Sequence, residues 1–325
     1  VVIVAGKGGV GKTAVSAALA RAAARAGLST LIVEVEGKSG LSTLFGQPAF
    51  DYEEVVLAPG GGPGGAADVR ARTLTPDDAL LEYLEGHGLS RISRRLAGSG
   101  AVDMVSTAAP GIKDILILGK VKQLERGKKA DLIVLDAPAA GHAISFLRSA
   151  RGLLDAVKVG PINTQARDVL EMLTDPARCQ VMLVTLAEET PVNELVETAY
   201  SLEDEVGISL GPVVVNGLYP EIEGLETDPA TAAAQAGAFL HPGEADALHE
   251  AARFRLDRLA LQNAQLLRLG ETLPLPQIHL PYLFSADLGR SHLELLTDHF
   301  AAGVEQLVAI PAAAAADDGT NGASA

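Results

Sequence analysis

Tryptophan is absent, cysteine occurs once, methionine three times, and aromatic residues make up 4% of the 325 residues. The lone Cys179 excludes an internal disulfide, a four-thiolate zinc site and an iron–sulfur cluster built from one chain, and it suits a reducing, cytoplasmic setting. Positive charge is also scarce. Lys plus Arg number 26 against 41 for Asp plus Glu, a net charge of −15, which argues against a protein that binds nucleic acid by neutralising phosphates. No run reaches the roughly 18 apolar residues that span a bilayer, and the apolar opening Val1 to Ala5 leads into a glycine loop instead of a cleavage site. A soluble, untargeted protein is expected. Since Val1 already reads as strand and no Met precedes it, a few native residues are expected to be missing upstream. The seven histidines are scattered, with no pair at metal-binding spacing on a helix.

What is present is an ordinary globular composition, 48% apolar and 21% charged, with strand and helix patterns in alternation. That alternation predicts an α/β fold, a mainly parallel sheet flanked by helices. Val1 to Ala5 reads as a buried strand, Gly6 to Gly11 as a loop, Thr13 to Ala26 as an Ala-rich helix that Gly27 ends, and Ser29 to Val35 as the next strand. Further buried strands are predicted at Asp131 to Leu135, Val181 to Leu186, Pro212 to Asn216 and Gln277 to Leu280. Pro59 to Gly65 reads as a mobile loop. Thr75, Pro76, Asp77 and Asp78 form a helix start, with a capping hydroxyl, a proline that needs no donor, and acids at the positive end of the dipole. From residue 75 to about 126, and again from 142 to about 176, the pattern is helical, and these stretches read as one helical subdomain inserted in a single domain of residues 1 to 310. Residues 311 to 325 read as a disordered tail.

Gly6-Lys7-Gly8-Gly9-Val10-Gly11-Lys12-Thr13 fits the phosphate-loop pattern G-x-x-x-x-G-K-[ST] in its proper place, between a strand and a helix. Glycines let successive amides turn toward an anion at a helix N-terminus. Gly8, Gly9, Val10, Gly11, Lys12, Thr13 and Ala14 are thus the expected nucleotide contacts, with Lys12 on the β- and γ-phosphates of ATP and the Thr13 hydroxyl on Mg²⁺. Asp136, just after an apolar strand, is placed at the carboxyl edge of the sheet beside that loop, where an acceptor for Mg²⁺ and its water belongs.

The second lysine at the front of the loop is not required by the general pattern. The string Lys7-Gly8-Gly9-Val10-Gly11-Lys12-Thr13 resembles the deviant Walker loop, and Asp136-Ala137-Pro138-Ala139-Ala140-Gly141-His142 resembles the D-T-A-P-T-G-H switch II of the ArsA and tail-anchored-protein targeting ATPases, with departures at Ala137, Ala139 and Ala140. Weaker likenesses are Ala109-Pro110-Gly111-Ile112, Thr75 to Ala79 with Glu82-Tyr83, Val213-Val214-Val215-Asn216 and Leu280-Pro281-Tyr282-Leu283. The resemblance covers residues 1 to about 310. It implies a P-loop ATPase that forms a dimer around nucleotide, with Lys7 reaching the partner's phosphates, Asn216 reading adenine, and Pro281, Tyr282 and Leu283 packing on the base. The plain alternative for Lys7 is a solvated lysine, which is the weaker reading here, whereas Asn216 taken alone reads as a strand-end turn residue.

The main departure is at switch I, where the family shows D-P-A-H and this chain has Glu36-Gly37-Lys38-Ser39. The resemblance gives Glu36 the task of orienting the attacking water from a stem one methylene longer, which implies slow hydrolysis. Glu34 shares a strand face with Glu36 and is expected to be the worse placed of the two. The partner is either a second copy or a paralogous ATPase, and the alternative reading is a nucleotide-binding regulatory half with little hydrolysis of its own. A hydrophobic or membrane-protein client would place the protein peripherally at the membrane; Ile115 to Leu124 and Ala143 to Leu154 could line a groove for it or pack in the core. With one cysteine, arsenite chemistry is disfavoured and Cys179 reads as a core residue.

Overall fold

The computed structural model describes residues 1–35, 40–61, 65–86, 111–138 and 140–309. Its centre is a sheet in the order β3-β4-β2-β5-β1-β6-β7-β8. The strands are β1 (Val2–Gly6), β2 (Thr30–Val35), β3 (Val55–Ala58), β4 (Val69–Leu74), β5 (Leu132–Asp136), β6 (Gln180–Leu186), β7 (Val213–Leu218) and β8 (Gln277–Pro281). Neighbours run parallel, except that the edge strand β3 is antiparallel to β4.

Both faces of the central strands are covered, and this is why they read as unbroken apolar runs. On one face Ile3, Leu31, Val33, Ile133, Leu135 and Leu183 join a core with helices α4 (Ile112–Arg126), α5 (Ala140–Ala156), α6 (Pro161–Thr174) and α7 (Glu189–Ser201). On the other, Val4, Ile32, Val134, Val184 and Val214 meet α1 (Lys12–Arg25), α2 (Gly40–Phe45) and α10 (Arg290–Ala309). Helix α3 (Pro76–Gly86) follows β4, and α8 (Pro229–Ala236) and the 29-residue α9 (Glu244–Thr272) lie between β7 and β8. The chain leaves β1 through α1 toward β2 on one side, and leaves β5 through α5 and α6 toward β6 on the other. The crevice where these connections diverge is the place an open α/β sheet offers a ligand.

The βαβ opening matches its sequence pattern within a residue at each end, and Thr75 caps α3 as its position predicts, accepting from the Asp78 amide at 3.2 Å. Two strands were not legible. In β3 the run Val55-Val56-Leu57-Ala58 has only four residues, and in β4 the run Val69-Arg70-Ala71-Arg72-Thr73-Leu74 is broken by two arginines, so it lacks an apolar signature. Yet Arg72 is buried, its guanidinium 4.2 Å from the Tyr52 ring centroid. The two stretches that could have lined a client groove are core: Ile115, Leu118, Val121, Leu124, Phe146, Leu147 and Leu153 are all buried. Ala109-Pro110 and the tail 311–325 lie outside the described residues. Cys179 is buried, and burial pushes its thiol up to about 12, which makes it a core residue and not a nucleophile.

At the end of α4, Glu125 takes a bidentate pair of hydrogen bonds from Arg178, at 3.0 and 2.8 Å, and the guanidinium holds the carboxyl below its usual range. A carboxyl depressed in the folded state stabilises fully above its unfolded pKa, about 4.3, and that contribution is lost as pH falls through the folded value. Urea midpoints measured from pH 6 to pH 3 should therefore fall less steeply for Glu125→Gln than for the parent chain; parallel curves would show that the pair contributes nothing.

Candidate functional site

The loop between β1 and α1 folds as its glycines require. Gly9 and Gly11 have φ of +87° and +94°, a region costly for any side chain. Gly11 is also constrained by space, since a Cβ there would stand 2.2 Å from the Asn216 amide nitrogen. Val10 plugs the core beneath the loop and is 2% exposed. Lys12, buried at the first turn of α1, folds its ammonium back over the loop and donates to the carbonyls of Gly6 and Lys7 at 3.0 and 3.1 Å. Those carbonyls hold the ammonium at the centre of the anion cradle.

Asp136 ends β5 with no exposure to solvent. The Thr13 hydroxyl donates to its Oδ2 at 2.7 Å, and the Ser16 hydroxyl lies 3.4 Å from Oδ1. A hydroxyl and a carboxylate converging at a helix N-terminus beside a glycine loop are hard oxygen donors, the set that suits Mg²⁺. The register places Glu34 of β2 directly beside Asp136. Partners in a parallel ladder share a face, so Glu34 points to the α1 side, where it is 1% exposed and accepts a 3.4 Å hydrogen bond from Thr73. Glu34 is therefore the carboxylate that the described residues bring beside Asp136, a placement that strand alternation alone does not decide between Glu34 and Glu36. Glu36 and Lys38 lie outside the described residues.

Lys7 forms an ion pair with Glu194 of α7 at 2.6 Å, both side chains 40% exposed. Nothing in the sequence spacing marks Glu194 as its partner. Asn216 donates its amide to the Val10 carbonyl at 2.9 Å and so braces the phosphate loop from β7. Past β8, Tyr282 is half-exposed and stacks against Tyr219 and Phe284, with ring centroids 5.0 and 4.7 Å away, while Arg255 of α9 lies over Tyr219 and Phe284. Pro281 ends β8, and Leu283 packs on the α1-side core. The structure thus brings Lys12, Thr13, Ser16, Asp136 and Glu34 to one crevice, with Asn216 against its loop and Tyr282 farther along the same sheet edge. Among the described residues no group of three His, Cys, Asp or Glu could hold a metal ion, and no helix is long and apolar enough to cross a membrane.

Residues 1–160, which carry the loop, Asp136 and the strands between them, match the model of the anion-transporting ATPase family. The chain belongs to that family. It is 36% identical over 225 residues to the ATPase BagA of Mycobacterium tuberculosis, covering 67% of this chain and 65% of that protein. It is 27% identical over 166 residues to the ATPase get3 of Neurospora crassa, covering 50% and 47% of the two chains. The matched region thus spans slightly less than two thirds of the first relative.

In this member of the anion-transporting ATPase family, the meeting of Gly11 with Asn216 fixes the loop from two elements far apart in sequence. Gly11→Ala should lower unfolding stability by about 1–3 kcal/mol, from backbone strain plus the clash. Adding Asn216→Ala should return part of that loss in urea unfolding, because the clash is removed and the strain is kept. A double variant no more stable than additivity of the single changes predicts would show that the two residues do not press on one another.

Proposed function

We propose that the chain binds Mg-ATP at the phosphate loop and hydrolyses it slowly as part of a dimer. The observation that carries this reading is the 2.7 Å contact of the Thr13 hydroxyl with the buried Asp136 carboxylate at the mouth of the glycine loop. Thr13 and Asp136 would hold Mg²⁺, which when bound screens the charge between the phosphate oxygens. Lys12 exchanges its two carbonyl partners for β- and γ-phosphate oxygens, and the amides of Gly8, Gly9, Val10, Gly11 and Ala14 follow the phosphate chain. Asn216, Pro281, Tyr282 and Leu283 form the base side. Glu36 orients water. The family's resemblance to dimeric ATPases supports a partner that is a second copy or a paralogue. The subdomain that the sequence pattern marks out at residues 75–126 and 142–176 would read nucleotide state and respond to a hydrophobic or membrane-protein client in the cytoplasm.

Lys7 bears directly on the dimer. Paired in its own chain with Glu194, it cannot at the same time reach across to another nucleotide. A half-exposed pair of this kind contributes only about 0–1 kcal/mol, so a triphosphate can displace it. A specific departure favours a second reading, a regulatory half with little turnover. Glu36-Gly37-Lys38-Ser39 replaces the aspartate-led switch I, and positioning of water tolerates a misplacement of only about 1 Å.

Lys12→Ala should weaken ATP binding by roughly 10- to 100-fold, the loss expected for a charge-assisted hydrogen bond; an unchanged affinity would sink the nucleotide assignment. Lys7→Ala should retain ATP but fail to gain mass with Mg-ATP in light scattering. Glu194→Gln should favour the ATP-dependent dimer by about 2- to 5-fold by releasing a surface pair. If Lys7→Ala and Glu194→Gln both leave the mass unchanged, alone and with a neighbouring paralogue, Lys7 has no role between chains.

A further inference from the structure

On the opposite face of the sheet from α1, helices α3, α4 and α6 line an open cavity of ≈ 450 Å³, within the size range of small-molecule sites. The phosphate loop takes no part in it. Its floor is built for closeness: a Cβ at Gly119 would fall 1.7 Å from the Gln165 amide nitrogen, so the amide lies against bare backbone. Its walls carry Lys120, Lys122 and Arg126 from α4, against Glu82 from α3 and Asp168 from α6. Lys120 and Lys122 are buried.

Among the described residues that line this cavity positive charge is in excess. Glu82 accepts from Lys120 and from the Tyr52 hydroxyl, with Arg72 behind it at 4.0 Å. Asp168 accepts from Lys122 at 2.8 Å and shares that charge with Arg126 at 3.5 Å. Among the described lining residues three cations, Lys120, Lys122 and Arg126, face two carboxylates, Glu82 and Asp168, in a chain whose net charge is −15. The titration of both acids follows the same geometry. Hydrogen bonding from Lys122 holds Asp168 below the usual carboxylate range; burial pushes Glu82 up, but Lys120 and Tyr52 more than reverse that. Burying two lysines beside an open space is costly where apolar residues would pack the same helices. The 53% exposed guanidinium of Arg126, whose contact with Asp168 is long and shared with Lys122, is placed to meet a second anion as a fork. Gln123, Gln165 and Thr164 line the remainder and can bond uncharged polar groups.

We propose that this cavity binds a small dianionic molecule with a polar body, of the phosphorylated-polyol or polycarboxylate class, its charge taken by Arg126, Lys122 and Lys120 and its hydroxyls by the amides around them. The site is separate from the nucleotide crevice and gives the chain a second small-molecule ligand.

The test uses the full chain carrying Lys12→Ala, so that the phosphate loop does not compete for the probe. Glucose 6-phosphate and citrate, with glucose as the uncharged control, are titrated by calorimetry and by ligand-observed NMR. At least one of the two anions should bind, glucose should bind at least tenfold more weakly, and Arg126→Glu should weaken the anion at least tenfold. Arg126 and Gln123 are exposed, though Arg126 lies 3.5 Å from Asp168 and Gln123 accepts from Lys120 at 3.1 Å. Arg126→Glu and Gln123→Glu should therefore change the unfolding equilibrium of the unliganded chain by no more than about fivefold, about 1 kcal/mol, and Gln123→Glu should also weaken the anion. Binding of glucose as tight as that of the anions, no binding of either anion at 10 mM (a screening ceiling of roughly millimolar affinity), or binding indifferent to both substitutions would each overturn the proposal. Preference between the two anions separates a phosphate from a carboxylate ligand.

Discussion

A carboxylate with no contact with solvent must be stabilised from inside the protein, and Asp136 is such a group. Its position at the end of β5 is held by parallel pairing to β1 and β2, and the hydroxyls that address it come from the first two turns of α1. This contact ties the helix that presents the phosphate loop to the strand that ends beside it. The loop's shape then follows. With α1 fixed at its N-terminus, the chain between Gly6 and Lys12 has to turn within a few residues, and glycine alone tolerates the backbone angles found at positions 9 and 11.

How much of this was legible in the sequence depends on whether a residue's role is set locally. The phosphate loop is a local object: an apolar run, spaced glycines, a lysine and a threonine, then alanines at helical spacing. Asp136 was legible because a buried strand must end where its apolar residues end. Glu194 was not, and Glu34 only in part, for different reasons. The first meets Lys7 through the packing of α7 against the sheet, 187 residues away in the chain, and no periodicity encodes such a distance. The second lies inside a strand, where a carboxylate breaks the apolar pattern and looks like an error until the register places it beside Asp136 and Thr73. β4 was hidden by the same effect, since Arg72 occupies an interior position that reads as surface until Tyr52 and Glu82 are seen around it.

Asn216 shows a different limit. Its position at the end of β7 is consistent with a residue that reads a base, yet here its amide is spent on the Val10 carbonyl. An amide has two donor hydrogens and an acceptor oxygen, so bracing the loop leaves capacity for a ligand. The same side chain can thus connect base recognition to loop geometry, and the absence of room for a Cβ at Gly11 keeps that connection tight.

β4 connects the two faces of the sheet. Successive residues of a strand point to opposite sides. Arg72 therefore reaches Glu82 at the cationic cavity, while Thr73 reaches Glu34 beside Asp136. An anion in the cavity would compete with Glu82 and Asp168 for their cations, and Arg72, which also faces Glu82, is one peptide unit from Thr73. Whether that competition alters the crevice is a question of energy, because spatial continuity alone establishes no coupling. The strand nevertheless defines where coupling would have to pass. Arg72 and Thr73 are adjacent, both are buried, and each is held by a carboxylate belonging to a different face of the sheet.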